Sequence, residues 1–315
     1  MARRFDVLCV GLQVIDLLVT GADRGVFDRE TTNVESIELL LGGDALNQAI
    51  TLSALGAKTG LMGAVGSDTL GDVLLNRLAA HPITVLDRRI DAKTGISVVL
   101  CRPDGERHFV LQTGHNERFC YEHIDEQAVR DAGIVSIGSC MGMKAMDVAD
   151  TLRLLELAAS AGAMTAMDFK ITRAEYDMPK VHECIRRADY LLPSKDDAAT
   201  LTGEKRDPKR MAEGMRDLGA RNVILKLGER GCYVAADGVE MQSLPARAAA
   251  WTPPVRATAS WRPSSTASAG AGTLKPARAL PMRRAPSPWS RGAQTARCAA
   301  RRRCACAWRR CAEHR

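Results

Sequence analysis

The run "GGDALNQAITLSALGAKTGLMGAVGSDTLGDVL", residues 42–74, carries the decision about fold. Two adjacent glycines, Gly42 and Gly43, open a stretch (44–57) whose apolar positions, Leu46, Ile50 and Leu52 among them, predict a helix. Residues 58–66 read as a strand followed by a glycine-rich turn, and 69–80 as a second helix. A glycine pair ahead of a helix lets backbone N–H groups approach a ligand closely, and the helix N-terminus favours electronegative groups there. Asn47, one turn into the helix, adds an amide donor and acceptor. In isolation GG-x-x-x-N reads as a glycine turn with a helix cap. The glycines of 60–71 do not form GxxxxGK[ST], so the run is not a P-loop.

Working outward, "FDVLCVG" (5–11) is a buried strand, and 133–139, 163–169, 190–194 and 222–228 are further short apolar strands. An amphipathic helix over 144–163 separates two of them. Such alternation predicts an α/β fold with a mostly parallel central sheet flanked by helices. "GISVVLCRPDGERHFVLQTG" (95–114) breaks the pattern with two β runs around Pro103-Asp104-Gly105, a hairpin signal. It predicts a small β appendage, such as a lid.

Composition divides the 315 residues near position 250. From Trp251 onward, thirteen Arg and Lys275 face the single acid Glu313, a net of +13, whereas the preceding 250 residues carry 30 basic and 36 acidic side chains, a net of −6. All Phe and Tyr precede residue 251, all four Trp follow it, and the last Asp is Asp237. Complete segregation of this kind is improbable within one packed domain. Six scattered Cys in the body, without a CxxC pair, fit a reduced, cytoplasmic protein. Asp6 and Asp16 interrupt the N-terminal apolar run and no small-residue cleavage site follows, which argues against a signal peptide. No run is long and apolar enough to span a membrane.

The chain resembles the ribokinase/PfkB family of carbohydrate kinases. The resemblance rests on 42–74 and on an ordered series around it: "VGLQVID" (10–16), "TGISVVLCRPDGER" (94–107), "TGHN" (113–116), "MDFK" (167–170), "LLPSKDDAATLTG" (191–203) and "KLGERGCYV" (226–234). It implies a ribokinase-like fold over 1–250, with β-lid segments near 28–42 and 95–112, and transfer of the γ-phosphate of ATP to a sugar hydroxyl with Mg²⁺. By this resemblance Asp16, Gly42, Gly43, Asn47 and Asn116 bind the sugar; the plain alternatives are a solvated loop carboxylate for Asp16 and a turn residue for Asn116. Ser194 and Asp197 stand at the family's Asn-x-x-Glu positions, implying that they organise phosphate and Mg²⁺ through water, Asp197 being the indirect metal contact. Lys226, Gly228 and Gly231 line the nucleotide site, and Lys170 approaches phosphate unless it is an ordinary strand-end lysine in solvent. The resemblance also implies lid closure over the sugar, keeping water from the phosphate, and a homodimer through the lid.

Phosphoryl transfer requires a base at the attacking hydroxyl and stabilisation of the transferring group. The family supplies both from a segment close to "DTTGAGDxF", due shortly after residue 250. Here "WTPPVRATASWRPS" (251–264) stands instead. Back-translated one base over, it is compatible with Asp-Thr-Thr-Gly-Ala-Gly-Asp-Ser-Phe-Val-Ala-Ala-Phe, which puts the lost Asp base at Ala257/Thr258. The preferred reading is a frameshift near Ala250. It makes 251–315 an out-of-frame, disordered basic tail, leaves the C-terminal part of the fold missing and the literal chain inactive. The alternatives are a sugar- or nucleotide-binding pseudokinase, and a basic arm that binds nucleic acid through "ARRRCACAWRRC" (300–311).

Overall fold

Residues FDVLCVG form β1 (Phe5–Gly11), in which Asp6 alone is exposed. Along it Val7 and Cys9 enter one hydrophobic core and Leu8 and Val10 another, the alternation of a strand buried on both faces. The computed structural model describes residues 3–171 and 177–243, all within one unit spanning Met1–Pro245. The expected out-of-frame tail, 251–315, and its alternative as a nucleic-acid-binding arm lie outside the described residues, as does the position Ala257/Thr258.

After β1 come β2 (Val14–Thr20), β3 (Ser36–Gly42), α1 (Asp44–Ala54), β4 (Thr59–Met62), β5 (Ala64–Gly66) and α2 (Thr69–Leu78). Next are β6 (Ile83–Val85), β7 (Arg88–Ile90), β8 (Ile96–Cys101), β9 (Arg107–Gln112), α3 (Glu126–Arg130), β10 (Ala132–Cys140) and α4 (Val148–Ser160). The series continues with β11 (Met164–Phe169), α5 (Met178–Arg187), β12 (Tyr190–Leu191), α6 (Lys195–Thr202), α7 (Pro208–Asp217), β13 (Asn222–Lys226), β14 (Cys232–Ala236) and β15 (Val239–Ser243).

Nine strands make the main sheet in the order β15-β14-β13-β12-β11-β10-β1-β4-β6. It is parallel from β13 to β6, with β14 and β15 added antiparallel. From β1 the chain builds outward in both directions, so the order switches beside β1 and β10, where α/β sheets form ligand crevices at the carboxyl ends of their strands. One face is packed by α1 and α2 through Ala45, Leu46, Ala49, Leu74 and Leu78. Leu154, Leu155, Ile185 and Met211, from α4, α5 and α7, pack the opposite face.

A separate four-stranded sheet, β3-β2-β8-β9, forms the lid. Its β8–β9 hairpin turns at Pro103-Asp104-Gly105, as the sequence predicts. Two boundaries differ from expectation. The lid begins at Ser36 rather than near 28, because residues 28–35, after the short 3₁₀ turn at 24–27, run as bends and irregular chain without strand pairing. It also includes β2, which places Asp16 in a strand paired on both sides, not in a loop. The run VIDLLVT is aliphatic enough on either side of that carboxylate to take its place inside the sheet.

The terminal β14–β15 hairpin was not predicted. Its signal is the dipeptide Asp237-Gly238, both residues at positive φ (48° and 78°), which matches the right-handed twist of the flanking strands. Among the described residues no helix is long and apolar enough to cross a membrane.

Candidate active site

The first half of the site lies where the lid meets α1. The β2–β3 ladder pairs Val14 with Gly42 and Asp16 with Leu40, which brings the Asp16 carboxylate over the Gly42 backbone. A Cβ at Gly42 would lie 2.2 Å from Asp16 Oδ2 and 2.6 Å from Oδ1, so only glycine permits this approach. Gly43 caps α1 with φ 95°, and a Cβ there would meet Leu12 O at 2.4 Å. Asp16 is half-buried; burial raises its carboxyl, a hydrogen bond from Ser97 works the other way, and the charge of Asp44 adds to the rise. Asn47 is exposed in the first turn of α1; its backbone N–H reaches Gly43 O, and its side-chain amide has no partner among the described residues.

The second half lies at the carboxyl ends of β11, β12 and β13. Asp168, near the end of β11, is buried and accepts an ion-paired hydrogen bond from Lys226 Nζ at 2.5 Å. Its other oxygen, Oδ1, is buried without a partner. Burial pushes the Asp168 carboxyl up to about 6; Lys226 opposes the shift, and the charges of Asp44 and Asp197 reinforce it. Ser194 caps α6, its Oγ accepting from the Asp197 backbone N–H at 3.1 Å while the hydroxyl donates to the Asp197 carboxylate. Asp197 Oδ1 accepts from the Ile171 N–H at 3.1 Å. Gly228 opens the 3₁₀ turn Gly228–Arg230, one residue after Lys226, and Gly231 caps its end. Lys170 is exposed, its backbone N–H bonded to Cys140 O.

Asp44 joins the two halves. Its carboxylate accepts a hydrogen bond from the Ser139 hydroxyl, and its charge acts on both Asp16 and Asp168. Ser139 and Met141, at the end of β10, hold positive φ angles of 56° and 69°, a conformation costly for residues with side chains and concentrated at functional sites. The site thus has acceptors for hydroxyl groups at one end and a lysine-neutralised acidic cluster at the other. Asp168 and Asp44 were not among the residues singled out from sequence. Asp168 lay in the quoted "MDFK", and its position at a strand's carboxyl end was the available signal.

Asn116 belongs to neither half. It is buried, and its amide donates to Gln13 O at 2.7 Å and Thr113 O at 2.9 Å while its oxygen accepts from Gln13 N at 3.2 Å. All of its polar atoms are committed to backbone, fastening the β1–β2 connection to the turn after β9. No group of three or more His, Cys, Asp or Glu side chains among the described residues is arranged to hold a metal directly. The unpartnered Asp168 Oδ1, beside Asp197, is nevertheless an acceptor suited to a hydrated hard cation.

Comparison with known proteins accords with this geometry. Residues 4–250 match the family model described as pfkB family carbohydrate kinase. A ribokinase of Haemophilus influenzae is 25% identical over 216 residues, covering 66% of this chain and 68% of that protein. Probable fructokinase-2 of Arabidopsis thaliana is 24% identical over 200 residues, 61% of each. Among solved structures, ribokinase from Giardia lamblia superposes with a TM-score of 0.64 at 22% identity, covering 75% of both chains. Arabidopsis thaliana ribokinase complexed with ribose and ATP gives 0.61 at 22% identity over 78% of both. These superpositions establish a ribokinase-like fold.

Proposed function

The chain belongs to the pfkB family of carbohydrate kinases, and from that premise we propose that its crevice binds a sugar and ATP for γ-phosphate transfer to a sugar hydroxyl. The observation that carries the reading is the single acidic crevice in which Asp44 links the Asp16–Gly42–Gly43 floor to the Asp168–Lys226 pair. Asp16 accepts sugar hydroxyls, the α1 N-terminus offers backbone N–H groups through Gly42 and Gly43, and Asn47 contributes its unpaired amide. Asn116 acts indirectly, through the loop it fastens. Lys226, Gly228 and Gly231 receive the nucleotide, with Ser194 fixing Asp197 and Lys170 near the phosphates.

Mg²⁺ would be held through water by Asp168 and Asp197, where it would neutralise phosphate charge. The unpartnered Asp168 Oδ1 and the Lys226 ammonium support this reading of that end of the crevice. The base and anion hole fall in the segment after residue 250. We therefore propose that the literal 315-residue chain binds its ligands without appreciable turnover, and that a frameshift near Ala250 is the cause. Calorimetric titration of this chain with a panel of pentoses, hexoses and ATP tests the binding site. Absence of any sugar binding below about 10 mM, a loss of essentially all specific affinity, would remove the proposal.

Lys226→Met gives a sharper test of the nucleotide end. Removing the ammonium leaves Asp168 without its counter-charge, so the carboxyl rises further above its ordinary range. Nucleotide affinity should fall by roughly tenfold, the scale of one lost charge-assisted hydrogen bond, with sugar affinity unchanged. Equal losses for both ligands would show that Lys226 supports the fold and not the phosphates.

The lid also supports a homodimer. Every residue of β9 is exposed, including Phe109, Val110 and Leu111, and Ile37 on β3 adds to the apolar surface. Sedimentation of Phe109→Glu should give a monomer where the wild type gives a dimer; a monomeric wild type would exclude this interface. The free thiols among the described residues favour a reducing compartment, the cytoplasm.

A further inference from the structure

Leu12 and Gln13 alone connect β1 of the central sheet to β2 of the lid, so they form one hinge of the lid. Gln13 is fully buried although it is polar. Its Nε2 donates to Asp87 Oδ1 at 2.6 Å, and Asp87 lies between β6 and β7, on the body side of the hinge. The remaining oxygen of each group, Gln13 Oε1 and Asp87 Oδ2, is buried and without a partner. Two unpartnered acceptors on two groups already bonded to each other lack one donor between them. A proton on Asp87 Oδ2 supplies it, because a carboxylic acid and a primary amide can exchange two hydrogen bonds in one planar ring.

We propose that Asp87 is held as a neutral carboxylic acid that closes this ring with the Gln13 amide, a proton-held latch at the lid hinge. Ionisation releases the proton to solvent, leaving Gln13 Oε1 without a donor and a carboxylate charge in a buried site, a costly arrangement. Gln13 Cα lies beneath Gly43, where a Cβ would come within 2.7 Å of it, and Asp16 follows three residues later. Loosening the latch therefore displaces the sugar-binding floor. Asp87 is thus a positioning residue, and its effect on sugar affinity rests on the function proposed above.

The charges around Asp87 do not account for a proton. Arg88 and Arg89 on β7 are exposed, Arg89 paired with Asp72, and no charged side chain contributes to the shift of Asp87. His115, on the turn after β9, accepts from Gly95 N through Nδ1 and is pushed down to about 4 by burial, so it is neutral across the relevant range. Asp68, at the cap of α2, faces His115 and Thr94, and Asp16 on β2 is bonded to Ser97. Lys93, on the connection before β8, acts on Asp68. Burial alone pushes the Asp87 carboxyl up to about 7 against the bonds from Gln13 and Gly63.

The native state then holds a proton that the unfolded chain loses near pH 4, so stability is greatest at the acid end and falls as pH rises toward about 7. Asp168 titrates in the same window, so the test is the difference between the wild type and Asp87→Asn. An asparagine can make both bonds of the ring at any pH. D87N should match the wild type in sugar affinity near pH 5.5 and in melting temperature only at about pH 4 and below, melt progressively above the wild type as pH rises toward about 7, and lose roughly tenfold less affinity than the wild type by about pH 8. In infrared spectra at the acid end, the wild type should show the carbonyl stretch of a protonated buried carboxyl that D87N lacks.

A D87N chain that is unfolded or destabilised at every pH would overturn the latch, as would a parallel pH profile or no difference in that band. If stability and spectra behave as expected but no sugar binds, the kinase reading fails and the latch stands.

Discussion

Restoring the reading frame at Ala250 is expected to raise sugar-dependent ATP turnover by about 10⁴-fold or more over the literal chain. A positioned general base contributes about 10²–10⁴-fold, and removing one donor of an anion hole costs about 10²–10³-fold. Under the proposed frameshift, both functions would fall in the one segment that reads "WTPPVRATASWRPS". Changing the restored Asp base to Asn should return the rate close to that of the literal chain while leaving sugar affinity intact. The restored chain should also melt at higher temperature. On the sheet face carrying Ala166, Tyr190 and Ala236, the neighbouring Met164, Leu192, Ile224 and Val234 are only partly buried, which leaves apolar area for additional elements to cover. Equal turnover by the two chains, or genomic DNA with one intact frame and no frame-restoring base nearby, would defeat the frameshift account.

Gly42→Ala carries the second large effect. The new methyl would stand 2.2–2.6 Å from all three atoms of the Asp16 carboxylate group. The register of β2 against β3 holds both backbones, so the carboxylate has to swing away. Loss of charge-assisted hydrogen bonds to two hydroxyls, each about 1.5–3 kcal/mol, corresponds to at least about 100-fold weaker sugar binding. Asp16→Ala should cost a similar amount, and the double variant little more than either alone, because both changes remove the same contact. Calorimetry with the sugar identified in the panel measures all three. Additive losses would show that Gly42 acts through the lid's stability instead of through Asp16.

The parallel sheet was legible because buried strands and amphipathic helices leave periodic apolar patterns, as in "FDVLCVG" and 144–163. The lid hairpin was legible from Pro103-Asp104-Gly105, whereas the β14–β15 hairpin carries only the dipeptide Asp237-Gly238 as its signal, close behind the glycine turn at 226–231. Asp16, Gly42 and Gly43 are expected together at the site only through the family resemblance. That Asp16 stands in a strand, with Gly42 beneath its carboxylate, was not legible, since it depends on the pairing of β2 with two strands distant in sequence.

Local pattern by itself therefore determined the α/β architecture, the lid, the family resemblance and the break near residue 250, because each is written in residues close together in the chain. Only the tertiary structure decided that Asn116 fastens the β1–β2 connection, that Asp168 faces Lys226 across 58 positions, and that Gln13 and Asp87, bonded to each other, each keep a buried oxygen without a partner. Those features arise from partners brought together across the sheet and from the loss of water around them, and neither has a signature in local sequence.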